Sequence, residues 1–289
     1  MRNDQPAGRH IALATVSFAV CFMAWGLISA FAPWFRERFA LTATQTALLI
    51  AVPVLLGAVA RLPMGMLSDR LGGRKVFAAL MVVVAAPVAL VPAADSFASL
   101  LAVAFLLGLA GSSFAVGVTY VSRWTTPAGQ GAALGVYGLG NAGHSAAVFL
   151  GPLLAAAVGP PAVFRISAAL LVAWGVAFAL LARDAPARTA PGSFATAMGV
   201  LRREKLAWAL AAFYFLTFGG FVAFSIYLPT LLRDTFGLTA ADAGFRTAGF
   251  VILATAMRPV GGWLADKIGG ARVLRGVFHG VAPFALLLA

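Results

Sequence analysis

Long apolar stretches separated by short polar segments fill most of the chain. The first apolar run covers about residues 11–35, and runs of similar length follow at about 45–67, 76–94, 98–121, 132–157 and 163–182. After a polar stretch at 183–205, further runs lie at about 206–232 and 240–264, and a ninth begins near Val273. About 20 helical residues cross a hydrocarbon core roughly 30 Å thick. The pattern therefore predicts an all-α integral membrane protein with about nine transmembrane helices.

Composition supports a multi-pass membrane protein that is embedded in the lipid bilayer. The 289 residues are 62% hydrophobic and 10% charged, whereas soluble proteins are about 45–50% apolar and about 25% charged. The net charge of +12 would suggest a nucleic-acid partner in a soluble protein. Here it is read as a topology signal, because most lysines and arginines lie in the segments that share a side with the N-terminus and the central polar stretch. We expect both to be cytoplasmic and no nucleic acid to bind.

One stretch of the chain occurs twice. Residues 61–75 read RLPMGMLSDRLGGRK, and 197 positions later residues 258–272 read RPVGGWLADKIGGAR. A repeat of this length in an apolar chain indicates two halves of one transporter. We therefore divide the chain into a six-helix bundle at 1–182, a cytoplasmic linker at 183–205 and a partial second bundle at 206–289. Within the linker, Phe194–Leu201 is expected to form a short interfacial helix.

Each repeat begins with an arginine inside an apolar span. Arg61 and Arg258 lie eight residues before Asp69 and Asp266, which places each arginine about 12 Å from its turn. None of the nine acidic residues lies in the middle of a span. Two unpaired guanidinium groups at one depth predict a site for a planar oxyanion. Nitrate, nitrite and monoanionic organic acids fit that description, and snorkelling of both arginines to the interface is the alternative.

Spans 5 and 7 carry further candidate residues. Span 5 has four closely spaced polar or small positions, Gly138, Gly140, Asn141 and Gly143, followed by His144. Glycines allow a helix or a ligand to approach the backbone, and the Asn141 amide can donate a hydrogen bond to an anion. In span 7, Tyr214 and Phe218 lie one helical turn apart. Plain helix packing is the alternative for these positions.

These motifs carry a family resemblance. The paired G-x-L-x-D-x-x-G-G turns and the long central polar stretch resemble the major facilitator superfamily. The two span arginines, the G-L-G-N-A-G run in span 5 and the Y-F-L-T-F-G-G run in span 7 resemble its nitrate/nitrite porter family. The resemblance implies a major facilitator fold, with an N-terminal six-helix bundle and an incomplete second bundle. Because that family has twelve spans, the chain is expected to be a C-terminally truncated member.

The resemblance also implies roles for individual residues. Tyr214 would donate a hydrogen bond to the substrate, and Phe218 and Phe114 would wall the site. The two turns would latch the cytoplasmic side, which makes gating residues of Gly65, Asp69, Arg70, Arg74, Gly262 and Asp266. The substrate-binding set is Arg61, Arg258, Asn141, Tyr214, Phe218, Phe114, Gly140 and Gly143.

The predicted function is nitrate/nitrite transport by alternating access, with exchange favoured. Proton-coupled nitrate uptake is one alternative, for which His144 is the candidate proton-coupling group, since histidine titrates near neutral pH. We interpret His144 instead as a neutral, hydrogen-bonded residue. Transport of another small monoanion, and a non-transporting fragment that ends at Ala289, are further alternatives. No enzyme constellation, metal site or cofactor motif is evident, and a monomer in a bacterial cell membrane is expected.

Overall fold

The structure, a computed structural model, describes residues 7–186, 199 and 202–288. In this part of the chain all regular structure is helical. Eight helices are long and apolar enough to cross a membrane, and we number them as spans 1 to 8: Ala7–Ala30, Ala43–Leu71, Gly73–Ala93, Phe97–Trp124, Pro127–Val158, Pro160–Leu181, Lys205–Pro229 and Asp242–Ile268. The predicted all-α membrane fold is therefore confirmed.

The ninth predicted span is a helix that differs from the other eight. Gly270–Leu288 follows span 8, but its first half carries Arg272 and Arg275 and is less apolar. The first span ends at Ala30, earlier than predicted, and a short helix, Ala32–Arg38, covers the end of the predicted span and the start of the loop after it. The described residues thus contain eight candidate spans and one further long helix rather than nine equivalent spans.

Four spans are interrupted by a change of helix type or by a break. Span 2 divides at Ala60 into Ala43–Val59 and Arg61–Leu71. The other interruptions are the 3₁₀ segments Gly108–Ser112 in span 4 and Gly138–Asn141 in span 5, and the π-helical turn Phe215–Gly219 in span 7. Such irregular turns are frequent at functional sites because they redirect side chains. Three of the four lie next to a residue of the predicted site.

The remaining helical segments complete these spans. Span 3 consists of Gly73–Leu90 and the 3₁₀ turn Val91–Ala93, and span 4 includes Phe97–Leu107 and Ser113–Trp124. Span 5 includes Pro127–Gly129, Gln130–Tyr137 and Ala142–Val158. Span 7 includes Lys205–Tyr214 and most of Gly220–Phe236, a helix that continues past the end of the span at Pro229, and span 8 is part of Ala240–Ile268.

Span 1 lies at the centre of the N-terminal bundle. Its Phe18 ring is fully buried and stacks on Tyr137 of span 5 with 4.9 Å between ring centroids. The Tyr137 hydroxyl donates to the Ser113 carbonyl of span 4 at 2.9 Å. Cys21 is also buried in this core. Buried aromatic pairs stabilise a fold through their large apolar area and their preferred ring geometry. Spans 1, 4 and 5 are therefore packed together, and the Phe18 ring of span 1 also contacts Phe114.

The start of the linker is tied to the N-terminal bundle. The Tyr120 hydroxyl donates to the Arg183 carbonyl at 2.8 Å and lies 2.9 Å from Nδ1 of buried His10. Asp184 accepts from the Arg74 backbone N–H at 2.8 Å, at the positive end of the Gly73–Leu90 helix. Of the predicted interfacial helix Phe194–Leu201, only Gly199 is among the described residues, so that prediction lies outside them.

The two repeated turns have the same backbone conformation. Gly72 has φ +92° and ψ 138°, and Gly269 has φ +92° and ψ 134°. Their N–H groups donate to the equivalent carbonyls of Ser68 and Ala265 at 3.1 and 2.9 Å. Only glycine adopts this positive φ at low cost. The predicted spans left residues 68–75 as the connection between them, but in the structure Gly72 alone separates the two helices.

Spans 5 and 8 pack with their backbones in contact. A Cβ on Gly262 would overlap the Gly131 carbonyl, and one on Gly135 would lie 2.6 Å from the Arg258 carbonyl. The glycines of this contact are four residues apart on span 5, so they share one helix face. Gly65 occupies the equivalent of Gly262 in the first repeat. Among the described residues, the Ala115 Cβ at 3.8 Å is its one neighbour within 4 Å of an added Cβ. In this part of the chain, close inter-bundle contact is therefore made by the second repeat.

This asymmetry predicts opposite effects of one substitution at two equivalent positions. We expect Gly262→Ala to destabilise the protein by about 1–3 kcal/mol, since a methyl group there must displace backbone atoms. Gly65→Ala is the matched control and should be neutral or stabilising, because alanine favours helix by about 1 kcal/mol over glycine. Melting temperatures of the detergent-purified variants measure both effects. Equal shifts for the two variants would contradict the packing described here.

Candidate functional site

Arg61 lies at the break in span 2 and points at three aromatic rings. Helix Ala43–Val59 ends just before it, and Arg61 begins the next helical segment. Its guanidinium carbon is 5.0 Å from the centroid of Phe218 and 5.6 Å from that of Phe114. Nη1 donates to the Tyr214 hydroxyl at 3.4 Å. The guanidinium is therefore held by cation–π contacts and one phenol rather than by an acid.

The three rings form one wall across spans 4 and 7. Tyr214 and Phe218 stack with 5.1 Å between centroids and 9° between planes. Phe114 stacks on both, at 6.0 and 6.4 Å. The π-helical turn Phe215–Gly219 lies between Tyr214 and Gly220, so it sets the relative orientation of the two span 7 rings. The structure thus brings together the wall residues that the sequence singled out, and their contact with substrate stays a prediction.

Arg258 lies on the other side of the same aromatic cluster. Its guanidinium carbon is 5.3 Å from the centroid of Phe221, whose ring is 6.3 Å from Phe218. Sequence reasoning missed Phe221. It follows Tyr214 and Phe218 in the i, i+4, i+7 pattern of one helix face, and extension of that pattern by one turn would have identified it.

Gly138 adds a second residue that sequence reasoning left without a specific role. The Arg258 Cδ would lie 2.9 Å from a Cβ at Gly138. The aliphatic stem of Arg258 therefore crosses span 5 where that helix has no side chain. A larger residue there would displace the guanidinium, so Gly138 acts as a positioning residue.

Neither span arginine has an acidic partner within the described residues. The ion pairs in that part of the chain are Arg123–Asp69 at 2.9 Å and Arg246–Asp242 at 3.1 Å. The Nε atoms of Arg61 and Arg258 are buried and have no hydrogen-bond acceptor there. Two uncompensated, half-buried charges inside a membrane span are costly, and a bound anion would offset that cost. The same residues contain no cluster of three His, Cys, Asp or Glu side chains that could bind a metal ion.

Three of the candidate binding residues in span 5 make contacts within the protein, and their contact with substrate stays a prediction. A Cβ on Gly140 would meet the Phe18 ring, and one on Gly143 would overlap the Ala19 carbonyl. Both glycines therefore face span 1, where they allow close helix packing. Nδ2 of Asn141 donates to the Gly138 carbonyl at 2.7 Å within the same helix. Its buried Oδ1, rather than its predicted amide donor, is left without a partner among the described residues.

His144 lies between span 5 and span 1. Its Nε2 is 3.5 Å from the Ser29 hydroxyl, and its ring centroid is 5.4 Å from that of Trp25. Trp25 and His144 both line a small cavity that also reaches Phe218 and Phe221. The histidine is therefore close to the aromatic cluster but is not in contact with either guanidinium.

The acidic residues of the two repeated turns have different partners. Asp266 accepts from the N–H groups of Gly131 and Ala132 at 2.8 and 2.7 Å, across the contact between spans 5 and 8. These N–H groups lie at the positive end of a helix, which favours a carboxylate. Asp69 instead pairs with Arg123 of span 4. Identical motif positions therefore make an inter-bundle contact in the second repeat and an intra-bundle contact in the first.

The arginines of the first turn also stay within the N-terminal bundle. Arg74 Nε donates to the Ala179 carbonyl of span 6 at 2.8 Å. The structure shows no side-chain hydrogen bond or ion pair for Arg70 with the described residues. A gating role for either arginine stays a prediction.

Comparison with known proteins agrees with this architecture. The sequence model of the Major Facilitator Superfamily matches residues 13–289. A solved structure of a bacterial homolog of the human lysosomal transporter Spinster, inward-facing and unoccupied, superposes with a TM-score of 0.66 at 17% identity. That comparison covers 92% of this chain and 64% of the other. At this identity, the likeness concerns the fold alone.

Similar sequences are bacterial membrane transporters. The chain is 37% identical to the "Nitrite extrusion protein" of Bacillus subtilis, covering 97% of this chain and 71% of that protein. It is 36% identical to the "Probable nitrate/nitrite transporter NarK2" of Mycobacterium tuberculosis, covering 97% and 72%. It is 35% identical to the "Probable nitrate transporter NarT" of Staphylococcus epidermidis, covering 94% and 70%. The chain therefore belongs to the Major Facilitator Superfamily and, within it, to the nitrate/nitrite transporter family, whose members are transporters and not enzymes.

Proposed function

We propose that the chain carries nitrate and nitrite across the membrane by exchange, with the anion held between Arg61 and Arg258. The observation that supports this most is the pair of guanidinium groups beside one aromatic cluster, without an acidic partner in the described residues. A guanidinium presents a planar fork of donors that matches a planar oxyanion. The relatives named for nitrate or nitrite support the same substrate class.

The site geometry suggests how substrate would be bound. Tyr214 contacts Arg61 through its hydroxyl, so the phenol can also reach an anion on that guanidinium. The rings of Phe114, Phe218 and Phe221 border the site. An anion bound against them would lose part of its hydration, and its charged hydrogen bonds would be stronger than in water. A small planar ion fits between such faces, whereas a bulky organic anion requires the rings to separate.

Exchange follows from the charge of the empty site. Without an anion, the Arg61 and Arg258 guanidinium groups repel each other and hinder closure of the two bundles around them. A bound anion screens that repulsion, so the loaded carrier changes conformation and the empty one does not. The bonds from Asp266 to Gly131 and Ala132 close one end of the inter-bundle contact. We propose that they must break when this end opens.

The remaining organisation is part of this proposal. Residues 1–182 and 206–289 act as the moving bundles, and 183–205 joins them as a linker. The N-terminus and the linker are placed in the cytoplasm of a bacterial cell, and the chain acts as a monomer. Because the chain spans about seven tenths of the length of its relatives, transport by the whole protein is part of the proposal as well.

The central test removes one guanidinium at a time in nitrite-loaded proteoliposomes given labelled nitrate outside. Arg61→Gln and Arg258→Gln should each abolish uptake. Arg61→Lys keeps the charge but loses the planar fork, and should raise the KM for nitrate about ten- to hundredfold. Empty liposomes should take up no nitrate if the carrier is an obligatory exchanger. Uptake that survives Arg61→Gln would refute the two-arginine site.

Arg246→Gln is the matched control, because Arg246 lies on the same helix as Arg258 but pairs with Asp242. It should leave the KM unchanged. Both this chain and a chimera that continues it with the remaining residues of the Bacillus subtilis relative should be assayed. Activity in the chimera alone would mean that this chain needs those residues for transport, and activity in neither would refute the proposed function.

Proton-coupled uptake is the alternative, and the position of His144 beside the aromatic cluster is the observation that favours it. Under exchange, we expect His144→Ala to leave the pH profile of uptake unchanged, because its nearest polar contact is the neutral Ser29 hydroxyl. Nitrate uptake is measured across a pH series, with and without a pH gradient. His279→Ala is the control, since within the described part of the chain that histidine bonds the Arg275 carbonyl of its own helix and no other group. A pH dependence that His144→Ala alone removes would support proton coupling instead.

A further inference from the structure

A large cavity lies at the end of the bundle opposite the repeated turns. It has a volume of about 760 Å³ and lies beside the short helix after span 1, the start of span 2 and the end of span 7. The short helix contacts the far end of span 3, since Arg38 donates to the carbonyls of Pro92 and Ala94. Span 3 begins at the Gly72 turn. Under the proposed topology, the cavity therefore faces the outside of the cell.

Two arginines from different bundles line this cavity. Arg36 comes from helix Ala32–Arg38 of the N-terminal bundle, and Arg233 comes from the last turn of helix Gly220–Phe236. Neither guanidinium has a hydrogen-bond or ion-pair partner among residues 7–186, 199 and 202–288. Glu37 is the acidic residue in the lining. Asp234 follows Arg233 in sequence but does not line the cavity. The lining therefore keeps a net positive charge that is open to solvent.

Two small cavities lie between this large cavity and the aromatic cluster, and we call the path that they mark the route. Two cavities of about 10 Å³ each lie along spans 1 and 7, and Trp25 and His144 line both. One of them reaches Phe218 and Phe221, and the other reaches Ile226. Along span 7, the order Phe218, Phe221, Ile226 and Arg233 thus runs from the site to the large cavity. A volume of about 10 Å³ holds about one water molecule, so the route is closed to nitrate in this conformation.

Two polar atoms beside the route suit water, and one of them, an N–H donor, also suits an anion. The Trp25 indole Nε1 and Asn141 Oδ1 are buried, and within the described residues neither has a hydrogen-bond partner. Both side chains line the small cavity next to Phe218. A buried polar atom without a partner is unfavourable. Widening of this route would allow water or a passing anion to satisfy the Trp25 N–H.

We propose that Arg36 and Arg233 form a capture site for small inorganic monoanions of the nitrate class, at the mouth of the route that ends between Arg61 and Arg258. The inference rests on the proposed transport function. Positive charges at an open cleft raise the local concentration of anions and their rate of association. The site acts before the anion reaches the arginine pair, so it changes the KM and leaves the maximal rate unchanged.

The test varies ionic strength, because screening by salt weakens long-range attraction between exposed charges and an anion. The Debye length is about 30 Å at 0.01 M and about 8 Å at 0.15 M ionic strength. Capture by exposed arginines should therefore be strong at low ionic strength and weak at high ionic strength. Initial rates of labelled nitrate uptake are measured at both, in proteoliposomes of a single orientation with the cavity facing the nitrate.

The Arg36→Gln/Arg233→Gln double variant should raise the KM for nitrate about three- to tenfold at low ionic strength, with the maximal rate unchanged. The difference from the unmodified chain should shrink at high ionic strength. Arg36→Lys/Arg233→Lys keeps the charge and should restore most of the KM. Glu37→Gln removes the acidic residue from the lining and should lower the KM. An unchanged KM in the Gln double variant at low ionic strength would overturn the proposal.

Arg38→Gln is the matched control. Arg38 neighbours Arg36 on the same short helix, but its guanidinium is engaged by the Pro92 and Ala94 carbonyls. It should leave the salt dependence unchanged, and an equal KM rise there would overturn the capture site. Failure of this inference is distinguishable from failure of the proposed function. Uptake that Arg61→Gln abolishes but the double variant leaves unaffected would refute the capture site alone.

Discussion

Two half-buried positive charges, which have no acidic partner among the described residues, constrain the rest of this protein. A charged side chain near the middle of a membrane costs at least about 2.5–3.5 kcal/mol even on insertion scales. Arg61 and Arg258 offset part of that cost with the faces of Phe114, Phe218 and Phe221 and with one phenol. Aromatic faces attract a cation but leave its N–H donors free. The arrangement therefore keeps two planar donor groups available for an anion.

The helices that carry or contact Arg61 and Arg258 are irregular near these two side chains. Span 2 breaks at Ala60, immediately before Arg61, and span 7 winds as a π-helical turn between Tyr214 and Gly220. Gly138 leaves room for the stem of Arg258. Each irregularity lies beside a side chain of the site. The same contact between spans 5 and 8 continues to Asp266, which joins the two bundles through the Gly131 and Ala132 N–H groups.

The repeat shows how equivalent residues acquire different tasks. Gly72 and Gly269 have the same positive φ, because a helix–glycine–helix turn is a local structure that its own residues determine. Asp69 and Asp266 diverge, because the partner of a carboxylate depends on which helix packs against the turn. For the same reason Gly65 has open space and Gly262 touches a backbone. The backbone conformation of the two turns is therefore the same in both repeats, whereas the contacts of the turns with other helices differ.

The sequence by itself determined the membrane class, the positions of the spans and the unpaired state of Arg61 and Arg258. Hydropathy reflects the free energy of side-chain transfer from water into the membrane, which each residue type determines by itself. The absence of acidic residues in the middle of the spans can be read directly from the sequence. It also indicated the pairing of Tyr214 with Phe218, which is a local helical spacing. Only the tertiary structure decided that Gly140 and Gly143 pack on span 1, that Asn141 bonds Gly138 and that Phe221 covers Arg258. Helical spacing predicts which residues share a face of one helix. Which other helix packs against that face depends on segments that are distant in the sequence.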